Sequence, residues 1–394
     1  MHLRALLPLP LLLLACGRPA PPAATPPRAD FLVVAGDSTF WVHAGPQGVH
    51  ARGSPLELAR WGGKFYEVYV VDDDRSYTDA EIVGEQLWRR DLVTGDSLLV
   101  FRDTTIRGIE RWYARAHPDD RPLGPDEDLE PDPHVSATSE LDLLDRFGHY
   151  TSYEYAADLT VSEGDEWHVR RRGVVDLRDG RHPSLAELFG ARTAASLVRK
   201  GSALFAQERD SVLASRDSDD ARVREAAGAI GDFQFDSTSF DLVAMNGEPA
   251  VEFVVPGRGS RAGGIVLPLP PVKVAIPAWW DRARDGLPTS EDSAGARWRR
   301  DGYQVLARDA GDDGVRLSLE DAHGHAWPVA RMPAPVRSIY WLDAGRADST
   351  TLRALARAFD EAALYDEETR TAMAAPRPPT FLPAARAWRA RGAE

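Results

Sequence analysis

The chain has 394 residues, 47 Lys and Arg against 61 Asp and Glu, and a net charge of −14. That charge excludes the basic footprint that nucleic-acid binding requires. The length allows two or three domains with cores of their own, and a single cysteine excludes a disulfide framework.

Residues 1–15 read as a secretion signal. Arg4 gives the positive start and Leu6 to Leu14 the apolar stretch, too short to span a bilayer and interrupted by Pro8 and Pro10. The stretch ends Leu13-Leu14-Ala15-Cys16. That sequence resembles the lipobox of bacterial lipoproteins. The resemblance implies cleavage before Cys16 and acylation of its thiol, because several acyl chains together anchor stably where one does not. Residues 16–30 are then the acylated cysteine and a Pro-rich tether, GRPAPPAATPPRA, semi-rigid and about 40 Å in reach at ~3.1 Å per residue. Gly17, rather than Asp, follows the cysteine and points to the outer membrane.

Residues 31–116 read as β-rich. FLVVAGDSTFWVHAGPQGVHARGSPLE alternates around Gly-rich breaks, KFYEVYVVDDDRSY is a strand ending in an acidic turn, and GEQLWRRDLVTGDSLLVF is a hairpin turning at Thr94-Gly95-Asp96. A short helix is expected over 106–116. Residues 117–137, HPDDRPLGPDEDLEPDPHVSA, are rich in proline and acid and read as an exposed linker and boundary. Asp126, Glu127, Asp128 and Asp132 within it lack EF-hand spacing.

Residues 138–280 read as an α+β domain. Strands run over 140–190, an amphipathic helical stretch over 192–230, and strands again over 233–256 with a turn at Asn246-Gly247. AGGIVLPLPPVKVAIPAWW, 262–280, is the most apolar stretch beyond the signal, and its prolines and Lys273 exclude a membrane helix. It reads as extended edge strands. Residues 281–297 read as a loop, 298–375 as hairpins plus a helix capped by Asp348 or Ser349 with Leu352, Leu355 and Phe359 on one face, and 376–394 as a Pro-rich tail. The fold class expected is α+β, strand-rich and mainly antiparallel, in two to three subdomains.

Three stretches of the middle domain carry a family pattern: GHYTSYEY at 148–155, VVDLRDG at 174–180 and SLAELFG at 184–190. Residues 138–280 resemble the domain of unknown function found in lysozyme-sensing anti-sigma-factor ectodomains and in envelope polysaccharide deacetylases. The family's Gly-Gly-x-His turn appears here as Gly164-Asp165-Glu166-Trp167-His168. The resemblance implies a binding or accessory module, and no catalytic residue carries over from it.

Several residues are candidates for chemistry. Gly36-Asp37-Ser38 and Gly95-Asp96-Ser97 resemble the Gly-Asp-Ser block of SGNH-type esterases, and Asp165 with His168 offers the accompanying Asp-x-x-His. Gly and Asp are also what hairpin turns use, and that reading takes precedence. His323 and His325 flank a glycine without the further ligands that a metal site needs. Arg258 and Arg261 lie in the Gly-rich stretch 257–264, which leads into a strand and not into a helix that could cradle phosphate. Trp279 and Trp280 are candidates for stacking on a sugar, weighed against a place in the core. Asp72, Asp73 and Asp74 read as a solvated turn.

The expectation is a lipid-anchored protein of the bacterial envelope, with a non-catalytic ectodomain that binds cell-wall glycan or a protein partner. Its binding candidates are Trp279, Trp280, Arg258, Arg261 and His168. The motifs require no metal and no cofactor and fix no oligomeric state. A second reading is an envelope hydrolase using Ser38 with Asp165 and His168. A third is a structural or assembly lipoprotein.

Overall fold

Strand β1 (Ala29–Ala35) is buried on both faces, and this explains its unbroken run FLVVA. It pairs with β2 (Ser38–Gly45) across a two-residue turn, Gly36-Asp37. Gly36 has φ +59°, and a Cβ there would sit 2.9 Å from the Ala334 methyl, so glycine is required. Strand β3 (Gly48–Ser54) extends the sheet on one side and β20 (Val336–Trp341) on the other, in the order β20-β1-β2-β3. The first and the last of the described strands therefore share one sheet. The computed structural model describes residues 25–124, 133–161, 165–215, 228, 230–245, 247–257, 264–311, 314–342 and 349–362.

This sheet is the middle of three layers. Leu32 and Val34 face helix α5 (Ser349–Ala362), which presents Leu352, Leu355 and Phe359. Phe31 and Val33 face the opposite way, onto a second sheet of β15 (Ser290–Asp292), β16 (Gly295–Arg300), β17 (Tyr303–Asp309), β18 (Val315–Asp321) and β19 (Ala326–Met332). Each large apolar side chain buried this way contributes about 1.5–3 kcal/mol relative to leaving it in water.

Residues 281–297, expected as a loop, hold β15 and the start of β16. The polar composition that reads as a loop belongs to a hairpin with a two-residue turn, Ser293-Ala294. Asp292 accepts from Ala294 N at 2.8 Å and from Arg297 Nη1 at 2.8 Å, which closes that turn.

The largest sheet is built from β4 (Leu58–Trp61), β5 (Lys64–Asp74), β6 (Ala80–Asp91), β8 (Val135–Phe147), β9 (Tyr150–Val161) and β10 (Asp165–Asp176), with β7 (Ser97–Arg102) paired to β6. The β6–β7 hairpin turns where the sequence places it: Asp91 accepts from Val93 N and Thr94 N, and Gly95 has φ +81°. Helix α1 (Thr104–Ala116) starts at Asp103, whose carboxylate accepts from Thr105 N and Ile106 N at 2.7 and 3.0 Å. It packs Ile106 and Tyr113 on one face of the sheet. Strands β6 and β8 run parallel, Ala80–Val83 against Val135–Thr138. The acidic segment 117–137 thus links two strands of one sheet, and its residues 125–132 lie outside the described residues.

The second core covers the far end of that sheet. It is made by α2 (Leu185–Phe189), α3 (Ala191–Ala214), the hairpin β11 (Phe240–Met245) and β12 (Glu248–Pro256), the short strands β13 (Val266–Pro268) and β14 (Val272–Lys273), and one turn of helix, α4 (Trp280–Ala283). Ser184 and Glu187 form a capping box at α2. The observed class is α+β, strand-rich and mainly antiparallel, as expected. Among the described residues, no helix is long and apolar enough to cross a membrane.

Candidate functional site

Strands β8, β9 and β10 turn one face to α1 and the other to charge. Alternation places Glu140 and Asp142 of β8, Glu154 and Asp158 of β9, and Glu166, His168, Arg170 and Arg172 of β10 on the charged face. The β11–β12 hairpin covers the end of this face that carries Arg172. Asp158 and Glu166 at the open end are exposed, as are Glu140 and Asp142 nearer the hairpin.

His168 is the centre of that open end. It sits directly opposite Asp158, with Nδ1 to Oδ1 at 2.5 Å, and its Nε2 is 3.7 Å from Glu166 Oε2. The hydrogen bond to Asp158 raises its pKa above the usual histidine range, and the two carboxylate charges add to that. The imidazole therefore holds its proton more tightly than a free histidine. A Cβ on Gly264 would lie 3.8 Å from His168 Cβ, so the Gly-rich stretch ends beside this residue. Arg258 and Arg261 of that stretch lie outside the described residues.

Ser38 lies elsewhere. Its hydroxyl donates to Asp37 Oδ1 at 2.9 Å, in the sheet of β1, β2, β3 and β20, whereas His168 is in the β4–β10 sheet. A serine nucleophile needs a base within hydrogen-bond reach, and these two residues are not brought together. The Asp165 side chain and Cys16 lie outside the described residues. The Gly-Asp-Ser at 36–38 makes a hairpin turn.

The tryptophans are structural. Trp280 is 1% exposed and packs on Phe147 with ring centroids 5.2 Å apart, the core place that the sequence weighed against stacking on a sugar. Trp279 is half-buried, donates Nε1–H to Leu188 O at 2.8 Å, and packs against Tyr150 and Phe189. Burial of the apolar ring with its one donor satisfied is what a core position demands.

His323 and His325 lie in the loop of a hairpin, whereas Asp72, Asp73 and Asp74, expected as a solvated turn, are the last residues of β5 and pair with Glu85, Gly84 and Val83 of β6. His325 Nδ1 meets Asp321 Oδ2 at 2.9 Å within the β18–β19 hairpin. Asp73 pairs with Arg75 and Arg107 at 2.9 and 2.8 Å, and Asp74 accepts from Ser76 N. Among the described residues, no group of three or more His, Cys, Asp or Glu is arranged to hold a metal ion.

One cluster has no trace in the motifs. Arg172 reaches Glu154 at 2.8 Å, Asp241 at 2.8 Å and Glu252 at 2.9 Å, tying β10 and β9 to the β11–β12 hairpin. Burial, and then the charge of Glu252, push Asp241 up to about 7. Burial also raises Glu252. Three carboxylates around one guanidinium leave excess negative charge in a low-dielectric place, and a bound proton relieves it. The alternation in EWHVRRRG marks the charged face of β10, but Asp241 and Glu252 come from 69 and 80 residues further on.

No family model matches the chain, and no curated protein matches it. Among solved structures, the chain is similar to a DUF3298 family protein from Pseudomonas aeruginosa PAO1, with a TM-score of 0.30 and 11% identity, over 51% of this chain and 88% of that one. It is also similar to a DUF3298 family member from Bacteroides fragilis, with a TM-score of 0.29 and 8% identity, over 56% of this chain and 97% of that one. The structural neighbours are thus proteins of a domain family of unknown function.

Proposed function

We propose that this protein is a lipid-anchored envelope lipoprotein whose ectodomain binds an envelope component, a cell-wall glycan or a protein, without catalysing a reaction on it. The outer membrane is its expected address, and Cys16 its site of acylation. The observation that carries the binding reading is the open end of the β8–β10 face. Two exposed carboxylates, Asp158 and Glu166, flank a histidine there. Such a surface offers acceptors to hydroxyl and ammonium donors, which both glycans and basic protein patches supply. The resemblance of residues 138–280 to an envelope accessory domain supports the same reading.

Two measurements test it. Incorporation of labelled fatty acid should be lost in Cys16→Ser. Capture of envelope components from detergent extract, with purified cell-wall glycan as a second bait, should weaken at least tenfold in Asp158→Asn/Glu166→Gln. Equal capture by wild type and variant would remove this face from the function.

A further inference from the structure

Strand β10 is an edge of the largest sheet: β9 pairs with one side of it, and among the described residues no strand pairs with the other. Its contacts show which backbone groups point away from β9. Arg172 N donates to Ser239 Oγ at 3.4 Å, Asp176 N donates to Arg181 O at 2.8 Å, and the His182 ring bonds the Val174 backbone. Inward and outward backbone groups alternate along an antiparallel strand, so those of Glu166, His168 and Arg170 point outward as well. Among the described residues no group bonds the outward backbone of these three. The edge is covered from residue 172 onward and bare over 166–170.

A bare edge is a template for another strand, and the side chains over 166–170 complement themselves. Antiparallel pairing with a second β10, centred on His168, sets Glu166 of each copy opposite Arg170 of the other. Trp167 of each copy then stands opposite Val169 of the other, on the face of the sheet that carries α1. Trp167 is 42% exposed, and Val169 is half-buried against the first core. The hydrogen-bond parity is also right, because Glu166, His168 and Arg170 are the residues with outward backbone groups. Moving the centre by one residue loses the match. About Trp167, Arg170 falls beyond the start of the other strand at Asp165. About Val169, Arg170 meets His168, and Glu166 meets Arg172, which three carboxylates already hold.

We propose that β10 pairs with the β10 of a second copy of this chain, joining two seven-stranded sheets into one across a twofold axis at His168. Such an interface is self-complementary, as a twofold requires. Each outward amide meets a carbonyl of the other strand, a Glu166–Arg170 pair closes each end, and Trp167 leaves water against Val169. The two imidazoles at the centre are both drawn toward β9, each by its own Asp158. Arg170 lies 3.4 Å from Glu154 of its own sheet, and pairing gives it a second carboxylate. Gly264 approaches His168 at Cβ, on the charged face, and leaves the backbone edge unbonded. The pairing does not depend on what the charged face binds.

The test uses the full chain carrying Cys16→Ser, which removes the acyl group and the only cysteine. Sedimentation equilibrium should show a dimer, and Arg170→Glu should raise its dissociation constant roughly tenfold or more, because the twofold reverses two charge pairs at once. Glu166→Arg/Arg170→Glu exchanges the charges and should restore the dimer, a rescue that a merely structural role for either residue does not give. Arg170→Gln serves if Arg170→Glu does not fold. The apolar Leu6–Leu14 stretch is common to all these chains, so their differences report the strand. Oxidation reads the register. His168→Cys should cross-link, since facing residues of such a pair have Cα atoms about 5.5 Å apart, within disulfide range. Glu166→Cys should not, because its two copies lie roughly 13 Å apart along the strands. A monomer at every concentration, a dimer indifferent to Arg170→Glu, no rescue by the exchange, or cross-linking of Glu166→Cys in preference to His168→Cys overturns the proposal. A monomer that takes up an extended peptide on this edge also overturns it, in favour of a peptide partner. Capture of an envelope component by a monomeric chain supports the binding reading and sinks this one, so the two fail separately.

Discussion

Arg172 holds Asp241 by one carboxylate oxygen at 2.8 Å, and the other oxygen, Oδ1, is buried with no hydrogen-bond partner among the described residues. An orphaned acceptor in a buried place is costly, and protonation is the simplest remedy. The groups that act on Asp241 are Arg172, which favours its charged form, and Glu252 and Asp145, which disfavour it.

The sign of the pH dependence follows. The ordinary aspartate value is 3.8 and the folded one about 7. Below about pH 4 both folded and unfolded states carry the proton. Between about 4 and 7 the folded state alone holds it, so stability falls as pH rises through that range and the loss is complete above about 7. The shift corresponds to a contribution on the order of 4 kcal/mol. Asp241→Asn cannot ionise and leaves Arg172 with Glu154 and Glu252. Urea unfolding of the variant from pH 4 to 8 should give a flatter profile than the wild type, and higher stability at pH 8. Parallel profiles would show that Asp241 is ionised throughout.

A second charged contact is buried for a different purpose. Arg146, 6% exposed, donates to Glu57 at 2.5 Å, to Leu58 O at 3.0 Å and to Thr151 Oγ1 at 2.9 Å, and Glu57 also accepts from Arg337 at 2.9 Å. This joins β8 and β9 to the entry of β4 and, through Arg337, to β20. Replacing Arg146 with Met leaves Glu57 buried with one partner and Leu58 O with none from this side chain. Breaking a buried pair from one side costs about 3–5 kcal/mol. With Arg337 retained, the expected loss is near the lower figure, read as a fall in the urea midpoint without change of slope.

These contacts mark what the sequence carries and what it does not. Local features are legible: the Gly95 hairpin, the helix after Asp103, and the apolar stripe of Leu352, Leu355 and Phe359 on α5 each follow from residues close in the chain. The run FLVVA signals a strand covered on both sides, but not that one cover is α5 and the other β15–β19, more than 250 residues away. The β6–β8 pairing crosses a segment whose proline and acid read as a boundary, because composition reports solvent exposure and not where the strands on either side meet. The Arg172 cluster is invisible for the same reason. Of the site residues read from sequence, His168 reaches a charged neighbourhood through Asp158, one cross-strand partner ten residues earlier. Trp279 and Trp280 do not report their burial, since aromatic pairs serve cores and ligand platforms alike.

Trp280 separates those two roles. It is 1% exposed, its Nε1–H reaches Gly247 O at 3.3 Å, and it fills the space beside Phe147. Gly148 turns tightly here, at φ +62°, with its Cβ position 3.0 Å from Ala283 Cα, so the backbone has little room to close a gap. Trp280→Ala should cost about 3–5 kcal/mol, seen as a large drop in Tm. A ligand platform gives the opposite pattern, with Tm unchanged and binding lost.

Two helical glycines make opposite predictions from the same substitution. Glycine in a helix interior is worse than alanine by about 0.5–1 kcal/mol through chain entropy. Gly108 of α1 has nothing within 4 Å of a Cβ position, so Gly108→Ala should stabilise by about that amount. Gly201 of α3 is different. A Cβ there would sit 2.6 and 2.7 Å from the Phe253 ring and 2.9 Å from Phe235. Overpacking of this kind costs about 1–3 kcal/mol, and Phe253 is itself buried and held between Phe235 and Phe240. The steric term outweighs the entropic gain, and Gly201→Ala should lower the urea midpoint where Gly108→Ala raises it. A rise in both variants would mean that α3 can lift from the β11–β12 hairpin at little cost, and that the second core is looser than its contacts imply.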